Sequence, residues 1–162
     1  MKVSIKKGLI IFVLITGCVS TKLANTVNPV TGEVKLKVLK KTAWFSKEFK
    51  SYKTDNITLD SFTLKKCKVT IIGGNWCSDT RQQLPRFIKI IEKCGYDKNT
   101  LKIIFVDRKK KCSNCIDSIA NFKVKFIPVF IFYNQKGEEI GRITESPQKT
   151  LEADIIEILK KY

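Results

Sequence analysis

The sequence predicts an α/β domain, a central mixed sheet flanked by helices, with the element order βαβα followed by ββα. Three observations lead there. Residues 69–72, 101–106 and 129–133 are short runs rich in β-branched and aromatic side chains, the signature of buried strands. Between the first two lies a helical pattern carrying Leu84, Phe87, Ile88 and Ile91 on one face. After the third, Asn134-Gln135-Lys136-Gly137 turns the chain and residues 139–143 return as a fourth strand, so that pair reads as an antiparallel hairpin. A chain of 162 residues holds one such domain with short additions, and no internal repeat is visible.

In chain order, residues 1–17 form a targeting segment. Lys2, Lys6 and Lys7 precede an unbroken apolar run at residues 9–15, too short to span a bilayer as a helix. The run ends in Ile15-Thr16-Gly17-Cys18, which resembles the lipobox of bacterial lipoproteins. The resemblance implies cleavage before Cys18, lipidation of that cysteine, and a domain held at the cell envelope, outside the cytoplasm. Residues 18–41 are expected to be a tether and N-terminal extension. Within them Asn28-Pro29-Val30-Thr31-Gly32 is turn chemistry, and Val34, Leu36 and Val38 alternate with lysines as a short strand would. The main domain is expected over residues 42–162. Trp44, Phe45, Phe49 and Tyr52 at helical spacing predict an amphipathic helix over residues 42–53, and residues 57–62 a short helix leading to Lys65-Lys66. Residues 79–94 read as a helix kinked near Pro85, where proline removes a backbone donor, with Gly95 placed to end it. Residues 115–122 read as a helix with Ile116 and Ile119 inward. Ser146-Pro147 is expected to open a last helix that buries Leu151, Ile155, Ile158 and Leu159.

The net charge of +16 is high, but lysine is spread along the chain and no basic motif interleaved with aromatics appears. It reads as a solvated basic surface, and no nucleic acid is expected as partner. There is no histidine, which excludes a Cys-His pair, a Ser-His-Asp triad and any histidine metal site. A zinc site would need more ligands than Cys67 and Cys94 add to the pair at 112 and 115, so neither metal nor cofactor is expected.

The chemistry centres on Asn75-Trp76-Cys77-Ser78-Asp79-Thr80, behind Gly73 and Gly74. A cysteine sits where a buried strand becomes a helix N-terminus, and free N–H groups and the helix dipole there favour the thiolate, the reactive form. Trp76-Cys77-x-x-Thr80 resembles the Trp-Cys-x-x-Cys site of the thioredoxin superfamily, with threonine in place of the second cysteine. Pro85 and the later Ile127-Pro128-Val129 match two further landmarks, the helix proline and the cis-proline loop. The resemblance covers about residues 42–162 and implies a thioredoxin-like fold and thiol–disulfide exchange. It makes Cys77 the nucleophile and lets the Thr80 hydroxyl donate to its thiolate, or sit inert. It also implies that Pro128 packs in cis against Cys77 and that Ile127 offers backbone hydrogen bonds to substrate. Trp76 would shape the site. Asp79 complements the helix dipole yet disfavours a neighbouring thiolate, and Arg81 pairs with the thiolate, with Asp79, or with solvent. Ile71 stands where the superfamily has a buried acid that helps resolution, which argues against an efficient general disulfide reductase.

Cys112-Ser113-Asn114-Cys115 follows Arg108-Lys109-Lys110-Lys111 after the second strand. If that strand is parallel to the first, both cysteine segments lie at the carboxyl edge of the sheet, where function gathers in open α/β sheets. Cys112 and Cys115 then either resolve a mixed disulfide at Cys77 or form a structural disulfide. The leading expectation is a membrane-anchored protein of extracytoplasmic thiol–disulfide exchange, with cysteine-containing exported proteins or small thiols as partners. The other is a redox-inactive binding or scaffold lipoprotein.

Overall fold

The middle of the sheet is β2 (Lys68–Gly73), buried along all but its first residue. The computed structural model describes residues 28–55, 61–112, 114–115 and 119–161. β2 pairs in parallel with β3 (Leu101–Phe105), from Val69 opposite Leu101 to Gly73 opposite Phe105. On its other side β4 (Val129–Tyr133) runs antiparallel, and β5 (Glu139–Thr144) continues the hairpin. A two-residue strand, β1 (Gly32–Glu33), pairs antiparallel with the outer side of β3. The five described strands thus form a mixed sheet in the order β1-β3-β2-β4-β5.

A strand buried on both faces needs apolar residues at every position, which is why the central runs do not alternate with polar ones. The two-residue period shows instead in which core each side chain joins. Ile71, Ile103, Phe130 and Phe132 enter one core, with helices α2 (Ala43–Ser51), α4 (Ser78–Lys93) and α5 (Leu151–Leu159) packed on it. Ile72, Ile104, Val129 and Ile131 enter a second core on the opposite face, and that is the core Cys77, Cys112 and Cys115 lean against. In the first core Phe87 of α4 packs on Phe130 with ring centroids 4.6 Å apart, a contact worth about 1 kcal/mol beyond the area it buries.

α4 runs through Pro85 without a break. It ends as the glycine predicts. Gly95 takes a left-handed φ of 67°, its N–H donates to Glu92 O, and Tyr96 N–H donates to Ile91 O, the paired bonds that close a helix terminus.

Three expectations are corrected. The strand expected through Val34, Leu36 and Val38 lies earlier, at β1, and a helical turn, α1 (Leu36–Leu39), follows. The same apolar residues serve a helix as well as a strand: Leu36 and Leu39, three apart, face the core, while Val38 is exposed. Of the helix expected over residues 115–122, Ile119–Phe122 is a 3₁₀ turn, and residues 116–118, with Ile116, lie outside the described residues. Ser146-Pro147 does not open the last helix. Thr150 caps it, accepting from Ala153 N–H at 3.1 Å, and Asp154 takes the Gln148 and Lys149 N–H groups to close the turn before it. The short helix before β2 is α3 (Ser61–Lys66), and residues 57–60 of the predicted segment lie outside the described residues. So do residues 1–27, with the targeting segment and Cys18.

Candidate active site

The sharp exit from β2 is made by two glycines that have no room for a side chain. A Cβ on Gly73 would lie 2.7 Å from Thr80 Cγ2, and one on Gly74 would lie 2.7 Å from Trp76 Nε1 and 3.2 Å from Val106 O. The chain therefore folds back on itself closely enough to set Cys77 as the N-cap residue of α4. Cys77 is half-buried with extended backbone angles, and its sulfur makes no capping bond to the helix. The thiol instead reaches Ile127 O at 3.5 Å. The Ile127–Pro128 peptide is cis, the isomer the resemblance implies, and both residues are buried. One carbonyl of the proline loop thus faces the sulfur, at the start of a helix whose terminus favours negative charge.

Thr80 is fully buried, and its Oγ1 accepts from Gly74 N–H at 3.2 Å. The hydroxyl braces the Gly73-Gly74 turn. The expected donation to Cys77 is not among the hydrogen bonds of the described residues. Trp76 spans the two loops at the carboxyl edge of the sheet. Its Nε1–H donates to Val106 O at 2.8 Å, and the Arg108 guanidinium lies over its ring at 5.1 Å. Val106 N–H in turn donates to Gly73 O. Asp79 sits half-buried in the first turn of α4. Arg81 turns towards α2, where its guanidinium lies 6.0 Å from the centre of the Trp44 ring.

Cys112 and Cys115 form a disulfide. The parallel pairing of β2 and β3 brings that pair to the edge that carries Cys77, and all three sulfurs belong to residues packed on the second core. The remaining free thiols are of another kind. Burial raises the pKa of Cys67 and of Cys94, with Lys93 and Lys65 opposing it at Cys94, so both are held as neutral thiols.

Two functional contacts were not legible in the sequence. Asn75 Oδ1 accepts from Val30 N–H at 3.0 Å and its Nδ2 donates to Asn28 O at 2.9 Å, which clamps the N-terminal segment beside the site. An asparagine before the motif carries no signal for a partner 45 residues away. Arg108 reads in sequence as part of a basic run, and only the fold shows it over Trp76.

The sheet order, the cysteine at the head of α4 and the cis proline facing it define a thioredoxin-like domain. A family model described as thioredoxin matches residues 34–158, and the chain belongs to that family. Thioredoxin from Pongo abelii is 27% identical over 94 residues, which cover 58% of this chain and 81% of that protein. Among solved structures, a protein of unknown function from Pseudomonas aeruginosa superposes with a TM-score of 0.47 at 13% identity, covering 73% of this chain and 81% of the other. Thioredoxin from Fasciola hepatica gives 0.40 at 17% identity, covering 62% and 84%.

Proposed function

We infer that the protein performs thiol–disulfide exchange outside the cytoplasm, with Cys77 as its single active-site nucleophile and Cys18 as a lipid anchor. The observation that carries the reading is the setting of Cys77: half-exposed, at a helix N-terminus, and 3.5 Å from the carbonyl before a cis proline. The Cys77 thiolate attacks one sulfur of a substrate disulfide. The S–S bond breaks, a mixed disulfide forms, and the other substrate sulfur leaves as a thiolate that takes up a proton. With threonine at position 80, a second thiol from outside the motif attacks the mixed disulfide and frees Cys77. Ile127 supplies a backbone carbonyl at the rim where substrate lies, Pro128 sets its direction, and Trp76, next to Cys77 in the chain, is held in place by Val106 and Arg108. Substrates on this reading are cysteine-containing exported proteins or small thiols. The envelope location is supported by the basic start, the apolar run and the Gly17-Cys18 pair. No helix among the described residues is long and apolar enough to cross a membrane, and attachment is assigned to the acyl chains.

The test is capture of a mixed disulfide. Incubation with a peptide disulfide carrying a dye leaving group adds one peptide at Cys77, read by mass, and Cys77→Ser blocks it. A second reading, a binding module without turnover, is favoured by the Thr80 hydroxyl being spent on Gly74. It wins if Cys77 in the folded protein reacts no faster than in urea while Cys77→Ser still binds the reduced peptide. Mature protein from cells is expected to carry acyl mass on Cys18, and an unmodified Cys18 refutes the anchor.

A further inference from the structure

A cleft of about 780 Å³ opens beside the Cys112–Cys115 disulfide, and Cys77 does not line it. Its volume is that of a small-molecule site. Both cysteines line it and both are half-buried, so the bond is reachable from the cleft. Lys110, Lys111, Lys123 and Lys125 line it as well. Asp107 is the one acid among the described lining residues, and it is engaged: its Oδ1 accepts the N–H groups of Lys109 and Lys111, each at 2.8 Å. Ile119 and Val124 supply an apolar wall. Arg142 on β5 holds that wall, donating to Phe122 O at 3.0 Å. Lys110 and Lys123 both have left-handed backbones, with φ of 58° and 50°, an unfavourable conformation for lysine that the loops nevertheless maintain. Lys110 also lies over the exposed Phe126 ring, one residue before Ile127, so the cleft borders the rim of the Cys77 site.

The geometry points to a second redox centre: the Cys112–Cys115 disulfide takes electrons from a small anionic thiol bound among the four lysines. The donor thiolate attacks one of the two sulfurs. The intramolecular S–S bond breaks, a mixed disulfide forms, and the other cysteine leaves as a thiolate. A second donor thiolate attacks the mixed disulfide at the donor sulfur, releasing the oxidised donor disulfide. Two donor thiols are oxidised, one protein disulfide is reduced, and the protons pass from the donors to Cys112 and Cys115. Specificity comes from charge: four lysines against Asp107 leave the described lining net positive, which concentrates anionic donors and disfavours cationic ones.

The experiment uses the full chain in a Cys77→Ser background, so that its outcome does not depend on the chemistry of Cys77. The oxidised protein is mixed with mercaptosuccinate, 2-mercaptoethanol or cysteamine, which are anionic, neutral and cationic thiols. Reduction is read as two added alkyl groups by mass, and rates are compared per thiolate. At low salt mercaptosuccinate is expected to react about tenfold faster than cysteamine, the lower end of what a charged cleft delivers, and high salt is expected to shrink that ratio. Lys123→Glu with Lys125→Glu is expected to abolish the preference. Lys47→Glu with Lys136→Glu changes net charge equally at sites outside the cleft and is expected to keep it. Equal rates for the three thiols overturn the proposal. So does an equal loss of preference in both double variants, which assigns the effect to the overall charge. A disulfide that resists all three thiols until the protein is unfolded is purely structural and overturns it too.

Discussion

Replacing Thr80 by valine keeps the shape of a fully buried side chain and deletes the oxygen that Gly74 N–H donates to at 3.2 Å. The donor sits in a buried turn where a Cβ on either glycine would clash with a neighbouring side chain, which leaves no room for a water to replace the hydroxyl. An unsatisfied buried N–H costs about 1–3 kcal/mol. The added methyl returns little, because it lands against that same N–H. The expected loss is about 2 kcal/mol, or a fall in Tm of roughly 6–10 °C for a domain of this size. Urea unfolding measures it, with the slope against denaturant unchanged. Thr80→Ser keeps the acceptor and loses only a methyl, so it is expected to be the milder change. The rate of Cys77 alkylation, measured in parallel, is expected to stay within about twofold of the parent, since the hydroxyl braces the loop rather than the sulfur. The reasoning is refuted if Thr80→Val unfolds within about 0.5 kcal/mol of the parent, or if alkylation drops tenfold at constant stability. The second result restores the hydroxyl as a direct partner of the Cys77 thiolate.

Two further predictions concern the scaffold. Tyr52 OH donates to the buried Glu152 carboxylate at 2.9 Å, and burial, then that bond and the Glu152 charge, raise its pKa well above 10.0. The folded state therefore holds the Tyr52 proton at pH values where the unfolded chain has released it. This contribution is complete below about pH 10 and is lost as pH climbs through the folded value. Tyr52→Phe is expected to flatten the alkaline fall in urea-unfolding free energy, leaving the part due to Tyr96, which burial also raises. An unchanged slope counts against the assignment. Asn75→Ala removes both bonds to the 28–30 segment and is expected to speed hydrogen exchange at the Val30 amide by about tenfold, with global stability changed by no more than about 1 kcal/mol. A Val30 amide that exchanges as before would show that β1 alone holds the segment.

The central strands, α4 and its glycine terminus were legible because each answers to a local rule. β-branched runs fill a sheet buried on both faces, apolar residues three and four apart make a helix face, and Gly95 takes a conformation other residues avoid. Leu36 and Val38 fit a strand in sequence because one apolar spacing suits two periods over so short a stretch, and the burial of Leu39 with Val38 exposed decides for the helix. Thr150 was overlooked because Ser146-Pro147 carries a stronger local cap signal, while the Asp154 bonds that close the intervening turn depend on residues beyond it. At the site, the motif located Cys77 and the proline loop, but the direction of the Thr80 hydroxyl depends on how near Gly74 comes, and no spacing rule encodes that distance.

The Asn75 clamp also fixes where the leash leaves the body. Asn28 and Val30 are held against the residue two before Cys77, so the polypeptide departs from the rim of the reactive loop and not from the far side of the sheet. Nine residues lie between Cys18 and Asn28, and the ten steps they make span at most about 35 Å when fully extended. If Cys18 carries the proposed anchor, the rim that holds Cys77 is the part of the domain tied nearest the lipid, and disulfides close to that surface are the ones within its reach.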